Sequence, residues 1–109
     1  MTNHLYIALK HIQNSDKQEV ISGRYRVNRI IVQDTEAIQI THLKFMGKKK
    51  FVTCKWIPQN NALFVCPGID DIPEEIIFII RSIKRLKMKV EYIISSSNTD
   101  ITSRFIQYL

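Results

Sequence analysis

The stretch from residue 72 to residue 86 constrains the fold more than any other part of the sequence. Its apolar residues recur at helical spacing, and Ile77 and Phe78 widen the apolar stripe beyond a single face. Such a helix has to be covered on more than one side by other elements. We predict one helix over residues 71–88, opened by a capping-box-like Asp71 and Glu74.

Most of the remaining chain consists of short runs rich in β-branched and aromatic residues, separated by polar turns such as 13–17, 34–36 and 58–61. We predict strands at residues 4–12, 19–32, 37–46, 49–57, 62–66 and 90–95. Gly23 predicts a bulge or bend within the second strand, and Gly47 predicts a type II′ hairpin turn between the third and fourth. A final helix is predicted to end at Leu109, with Ser97 or Thr99 as its cap.

The order of these elements predicts an α+β fold. An antiparallel β-meander is followed by a strand-helix-strand-helix tail, and all strands belong to a single mixed sheet, because a strand-helix-strand crossover is almost always parallel. The chain has 109 residues, of which 45% are hydrophobic, and it contains no repeat or linker-like segment. This composition predicts a single domain over residues 1–109.

The sequence predicts a cytoplasmic protein without a membrane partner. No apolar run reaches the roughly 18 to 20 residues of a membrane span, and the first residues lack the pattern of a secretory signal. Cys54 and Cys66 lie in apolar surroundings without metal-ligand spacing, so we expect reduced core residues. The high isoleucine and lysine content is typical of an AT-rich microbial or viral genome.

The formal net charge is +6, and the basic residues are clustered. Of the 16 Lys and Arg residues, 13 lie in the segments 24–29, 44–55 and 81–89. Arg24 and Arg26 are predicted on one face of their strand and Tyr25 on the other. Because phosphates bind cations and unpaired bases stack on aromatic rings, this pattern predicts a non-enzymatic protein that binds RNA or DNA mainly through phosphate contacts. The predicted binding residues are Arg24, Arg26, Lys44, Lys48, Lys49, Lys50, Lys55 and Trp56.

A second cluster is predicted at one edge of the sheet, where the loops 14–17, 67–71 and 95–100 and the Gly47 turn would lie together. Two helices begin at this edge, and helix N-termini present free amides to phosphate groups. We therefore expect Ser96, Ser97 and Thr99 to take part in phosphate binding. The alternative interpretation is that Ser97 and Thr99 only cap the final helix.

A structural interpretation of the same residues has to be weighed against nucleic-acid binding. Tyr25 and Trp56 would then be core residues, and the cations would serve solubility and the helix dipole. In that case the chain is a protein-interaction or self-assembly module, such as a homodimer. Its interface would be an exposed edge strand or the final amphipathic helix around Phe105 and Tyr108.

Catalysis would need a further set of residues. Asp70, Asp71 and Asp100 have the chemistry of Mg²⁺ ligands in a nuclease, but their spacing matches no motif. The order of elements resembles that of restriction-endonuclease-like nuclease cores, which carry an acid and then Glu-x-Lys on adjacent strands. Residues 53–55 read Thr-Cys-Lys instead, and no acid occurs between Glu36 and Asp70. The histidines at 4, 11 and 42 have no partner at ligand spacing, so we predict neither a metal nor a cofactor.

Overall fold

The computed structural model describes residues 2–43, 52–66 and 72–109, which form a mixed six-stranded sheet with helices on one side. The predicted α+β class is confirmed. In chain order the elements are α1 (His4–Gln13), β1 (Glu19–Ser22), β2 (Tyr25–Val32), β3 (Thr35–His42), β4 (Val52–Ile57), a 3-10 turn (Pro58–Asn60), β5 (Ala62–Val65), α2 (Pro73–Arg85), β6 (Tyr92–Ile94) and a C-terminal 3-10 helix (Thr102–Tyr108).

The strands lie side by side in the order in which they occur along the chain. β1 to β5 form an antiparallel meander, and β6 pairs with β5 in parallel after the chain has crossed over through α2. This is the predicted mixed sheet. β1 and β6 are its two edge strands.

The first element is a helix, so the strand predicted over residues 4–12 is wrong. Its buried side chains are Leu5, Ala8, Leu9 and Ile12. Steps of three and four residues are the period of a helix face, whereas a strand alternates. Asn3 caps the helix, because its side-chain oxygen accepts a hydrogen bond from the backbone N–H of Tyr6 at 2.9 Å.

The single strand predicted over residues 19–32 is two strands, β1 and β2, joined by a tight turn at Gly23 and Arg24. Gly23 has a φ of +57°, which lies in the left-handed region that favours glycine. A Cβ at this position would clash with the ring of His4 at the start of α1. The predicted bend is therefore a complete reversal of the chain, and it packs against α1.

The next reversal is tighter than predicted. Gln33 and Asp34 have φ values of 48° and 64°, as a two-residue type I′ turn requires. The rest of the predicted turn, residues 35 and 36, therefore belongs to β3. β3 and β4 pair in antiparallel fashion as predicted, from Ile38 opposite Trp56 onward, while the Gly47 turn between them lies outside the described residues.

α2 carries acidic residues in its first turn and basic residues in its last, an arrangement that favours the helix dipole. Pro73 occupies the first turn as predicted. Ile72 stands at the cap position and makes no side-chain cap bond, and Asp71 lies outside the described residues. The helix ends at Arg85, shortly before Lys87, whose φ of 65° interrupts it.

One face of the sheet, here called the helix face, packs against α1, α2 and the C-terminal 3-10 helix in a single core. Val27, Ile40, Cys54 and Val65 form one buried row across β2 to β5. Phe105 joins the same core from the C-terminal 3-10 helix. None of the helices in the described ranges has the length and hydropathy to cross a lipid bilayer.

Candidate functional site

The opposite face of the sheet, here called the open face, carries no helix among the described elements. Strand alternation places on it Glu19, Ile21, Arg26, Asn28, Ile30, Val32, Thr35, Ala37, Gln39, Thr41, Thr53, Lys55, Ile57, Ala62, Phe64, Tyr92 and Ile94. Ile21 and Tyr92 are about half exposed, at 56% and 50%. A large, chemically mixed surface without a covering layer is the main candidate for function in this fold.

The open face is concave. Val32 of β2 and Ser96, which follows β6, line the same depression of about 260 Å³. In a flat sheet these two strands would lie about 19 Å apart, since neighbouring strands are about 4.8 Å apart. The sheet therefore coils across its width, as twisted sheets do. This curvature agrees with the burial of Thr41 and Ile57, which have no helix above them.

Arg26 and Lys55 are the two predicted cations that the structure places on the open face. Arg26 lies between Ile21 and Thr41 in the sheet, and Lys55 lies between Gln39 and Phe64. Within the described ranges, no carboxylate oxygen lies within 4.0 Å of either cation. Glu19 at the outer strand is the one acid that alternation places on this face in the described strands. Neither positive charge is therefore neutralised by a close ion pair with a described residue.

Arg24, the third predicted cation in the described residues, lies away from the open face. Arg24 is in the turn between β1 and β2, not on the strand face predicted for it, and its carbonyl accepts a hydrogen bond from the backbone N–H of Leu43 at 2.7 Å. Arg24 is exposed at the end of the sheet where β3 ends and β4 begins. The predicted residues Lys44, Lys48, Lys49 and Lys50 lie outside the described residues.

Trp56 does not fit the stacking role predicted for it. Its side chain is 0% exposed and belongs to the core on the helix face, because it neighbours Lys55 in a strand and so points to the opposite side. Its Nε1 is buried without a hydrogen-bond partner among the described residues. In the part of the sheet that the structure describes, the aromatic side chains on the open face are Phe64 and Tyr92, which sequence reasoning missed.

The loop after β6 is held by its own hydroxyl groups. Ser97 Oγ lies 2.9 Å from Ser95 Oγ and 3.1 Å from Thr99 Oγ1, so Ser97 and Thr99 staple the loop. Neither residue caps the last helix. The N-cap is Ile101, which makes no side-chain cap bond. Asp100, one residue earlier, accepts at Oδ1 a hydrogen bond from the Thr102 backbone N–H at 2.9 Å. Of the three residues predicted to bind phosphate, Ser96 is the one that lines the depression.

The sheet topology brings together only part of the loop cluster that was predicted at one edge of the sheet. β1, β3, β5 and β6 all end on the side of the sheet where the Gly23 turn lies. The loop 95–100 is therefore at that edge, as predicted. Residues 14–17 are at the opposite edge, because α1 replaces the strand expected there, and residues 67–71 lie outside the described ranges.

Several basic residues have structural roles. The guanidinium of Arg29 donates to the carbonyls of Lys17 and Ser15 at 3.1 and 2.9 Å, and also to the carbonyl of Ile12. It therefore closes the C-terminal end of α1. Arg85 lies over the Tyr6 ring at 4.2 Å, and Arg81 lies over the Tyr108 ring at 5.6 Å. These helix cations are on the side away from the open face.

A buried polar cluster joins the sheet to α2, and sequence reasoning missed it. The Tyr25 hydroxyl donates to Glu75 Oε1 at 3.0 Å, and His42 Nδ1 approaches the same oxygen to 3.3 Å without the alignment of a hydrogen bond. The Tyr25 and His42 rings stack with centroids 4.6 Å apart. Burial, and then the negative charge of Glu75, raise the pKa of Tyr25 well above its usual range.

Both cysteines are free thiols, and they differ in environment. Cys54 is fully buried, as predicted, and burial together with the nearby Cys66 and Glu75 raises its pKa. Cys66 is only half buried and lines the depression on the open face. A reagent in solvent therefore reaches Cys66 before Cys54.

Of the residues considered for a metal site, Asp100 is the one that the structure describes, and it has another role. Hydrogen bonds from the Thr102 hydroxyl and backbone hold the pKa of Asp100 below its usual value, so its carboxylate serves the loop. Asp70 and Asp71 lie outside the described residues. In the described part of the chain, no three His, Cys, Asp or Glu residues are grouped so as to hold a metal ion.

Comparisons with protein-family models, with curated proteins and with solved structures found no match to this chain. The chemistry and placement of its own residues are therefore what indicates its function. These define a single mixed sheet with a helical layer on one side and a concave, basic and aromatic surface on the other.

Proposed function

We propose that the chain is a nucleic-acid-binding protein and that the open face is its binding surface. The observation that carries the proposal is the pair of cations on this face, Arg26 and Lys55, neither of which has a carboxylate within 4.0 Å among the described residues. A cation without an ionic partner inside a concave surface favours an anionic ligand that brings its own charges.

The spacing of these cations is compatible with a chain of phosphates. Arg26 on β2 and Lys55 on β4 are separated by two strands and two residues, which places their Cα atoms about 12 Å apart. A phosphate backbone crossing the sheet can contact each of them in turn. The net charge of +6 adds a long-range attraction to such a polymer.

The neighbours of the two cations support the same proposal. Phe64 lies directly beside Lys55 in the sheet, and Tyr92 lies on the next strand, one side-chain position away. Asn28 and Gln39 lie in the same row as Lys55 and offer donors and acceptors to base edges. Flat rings, amides and cations together are the groups that contact bases, sugars and phosphates.

The test is the salt dependence of binding to a labelled oligonucleotide. Each lost phosphate contact lowers the slope of log K against log salt by about 0.7 to 0.9. We expect Arg26→Ala and Lys55→Ala each to flatten the slope by about that amount. Arg104→Ala and Lys89→Ala are the matched controls, since both remove one exposed charge away from the open face. Equal effects of all four variants, or no binding at low salt, would overturn the proposal.

The second candidate is a homodimer formed through β1. This edge strand has no partner on its outer side among the described strands, and Ile21 on it is 56% exposed. Unpaired strand edges pair readily with a second copy. β6 is less suited, because its outer side is bonded by residues 99–102. Of the two residues predicted for a C-terminal interface, Phe105 is in the core and Tyr108 is half buried.

Light scattering distinguishes the two candidates. A salt-insensitive dimer that Ile21→Lys converts to a monomer, together with no affinity for nucleic acid, would favour self-assembly. A monomer whose affinity for nucleic acid falls steeply with salt would favour the open face. A cytoplasmic location and a microbial or viral source stay predictions from composition.

A further inference from the structure

The depression on the open face has the size of a site for one flat ring. Its volume is about 260 Å³, which is below the roughly 300 to 1,000 Å³ of sites that enclose drug-sized ligands. It is open to solvent on the concave side of the sheet and has no covering helix among the described elements. A nucleobase fits such a space, and a whole dinucleotide cofactor does not.

The lining of the depression combines the groups that recognise an unpaired nucleotide. Phe64 offers a ring for stacking, and Lys55 beside it offers a charge for the adjoining phosphate. Ser96 and Asn98, in the loop after β6, also line the depression and carry polar groups that suit a base edge or a sugar. Tyr92 lies outside the depression on the neighbouring strand, where it offers a second ring at 50% exposure.

We infer that the ligand of the open face is a single strand, with one unpaired base stacked on Phe64 in the depression and its phosphate held by Lys55. This inference rests on the function proposed above and narrows it. A duplex keeps its bases paired and stacked inside, so it cannot place a base against a ring at the bottom of a concave face. A single strand exposes both base and phosphate, and stacking on aromatic rings tolerates every base.

The first experiment compares strands with duplexes of the same sequence. Labelled pyrimidine-rich oligonucleotides of about eight nucleotides, made as RNA and as DNA, are within the site sizes of single-strand binders. We expect either single strand to bind at least about fivefold more tightly than its duplex, because base stacking adds to the phosphate contacts. If the duplexes bind as tightly, the single-strand inference is wrong while the proposed function stands.

The second experiment removes the ring. Phe64→Leu should raise Kd by roughly 5- to 150-fold, the range for loss of one stacked base, and should leave the salt slope unchanged. Tyr6→Leu is the matched control, because it removes a half-buried ring from the helical side. An unchanged Kd in Phe64→Leu, with binding still sensitive to Lys55→Ala, would overturn the stacking role alone.

The third experiment needs no substitution. Cys66 lines the depression and Cys54 is fully buried, so the thiol that reacts first with iodoacetamide reports on this site. A single strand at about ten times its Kd should slow that reaction roughly tenfold, by simple occupancy. A bound strand that leaves the rate unchanged would place the ligand elsewhere. Absence of any binding would instead overturn the proposed function.

Discussion

The Tyr25 hydroxyl donates a hydrogen bond to Oε1 of Glu75 at 3.0 Å across 50 positions of sequence. It connects the first residue of β2 to the first turn of α2. Both side chains are buried. Removing either one would leave the other without a hydrogen-bond partner, and water could not replace it. The bond therefore fixes the position of α2 on the helix face.

A double-mutant cycle measures this coupling. Tyr25→Phe and Glu75→Ala should each destabilise the fold, and their effects on the free energy of unfolding should fall short of additivity by about 1 to 3 kcal/mol. Urea denaturation supplies the four values. The control cycle pairs Tyr25→Phe with Glu74→Ala, an exposed neighbour in the same turn. Additive effects in the first cycle would show that the bond contributes nothing.

The raised pKa of Tyr25 predicts a specific response to alkali. Unfolded tyrosine releases its proton near pH 10, whereas folded Tyr25 retains it. The stability that this group contributes is therefore complete below about pH 10 and is lost as pH rises further. In a tyrosinate absorbance titration of the four tyrosines, Tyr25→Phe should remove only the last amplitude. Loss of an early amplitude would contradict the burial of this group.

Arg29 and Arg26 lie three residues apart on β2, and we expect them to differ in every measurement. Arg29→Ala leaves three carbonyls at the end of α1 without their donor, so it should lower the free energy of unfolding by about 1.5 to 3 kcal/mol. Its effect on the salt slope should be small. Arg26→Ala should change the slope and cost less than about 0.5 kcal/mol of stability. If the two variants gave the opposite results, the roles assigned here to Arg26 and Arg29 would both be wrong.

Trp56 provides a contrast with Phe64. Trp56→Ala should cost about 3 to 5 kcal/mol of stability, because it opens a cavity in the core. Trp56→Phe should cost less, since it keeps a ring and removes an indole N–H that has no partner among the described residues. Neither change should alter the affinity of the folded fraction for a single strand. A loss of affinity in Trp56→Phe equal to that in Phe64→Leu would contradict the placement of the stacking surface.

Asp100 predicts a local response to acid. The hydrogen bonds from Thr102 lower its pKa. The stability that Asp100 contributes to the loop is therefore complete above the ordinary aspartate pKa of about 3.9. It is lost as pH falls through the lower pKa of the folded state. The Thr102 amide resonance should shift in that range during an NMR titration. Asp100→Asn should abolish the shift. A Thr102 resonance that moves instead near the ordinary aspartate pKa would show that the bond is not formed.

Local patterns were enough to predict the second half of the fold. α2, β5 and β6 each combine a clear apolar run with a proline or polar break, and their order requires a mixed sheet. The strand predicted over residues 4–12 was wrong although the helical period of this segment was readable, because the segment also contains strand-favouring residues. Asn3 before the run and the three- and four-residue spacing would have identified the helix.

The site was less predictable than the fold, because alternation in a strand does not show which face the helices will cover. Lys55 and Trp56 are adjacent in β4 and so cannot share a face, a conflict that the sequence already contained. Choosing between them needed the position of α2. The role of Arg29 depends on the end of α1, which is brought to β2 only by tertiary packing.

Because helices cover only one face of the sheet among the described elements, the residues that stabilise the fold and the residues of the proposed binding surface lie on opposite faces. On the function proposed above, replacing Asn28, Gln39 or Thr53 would change what the open face recognises and leave the hydrophobic interior on the other side intact. A preference for a sequence or a sugar would then drift through many variants before folding suffers. The same scaffold offers protein engineers a set of strand positions that can be randomised with little risk of unfolding.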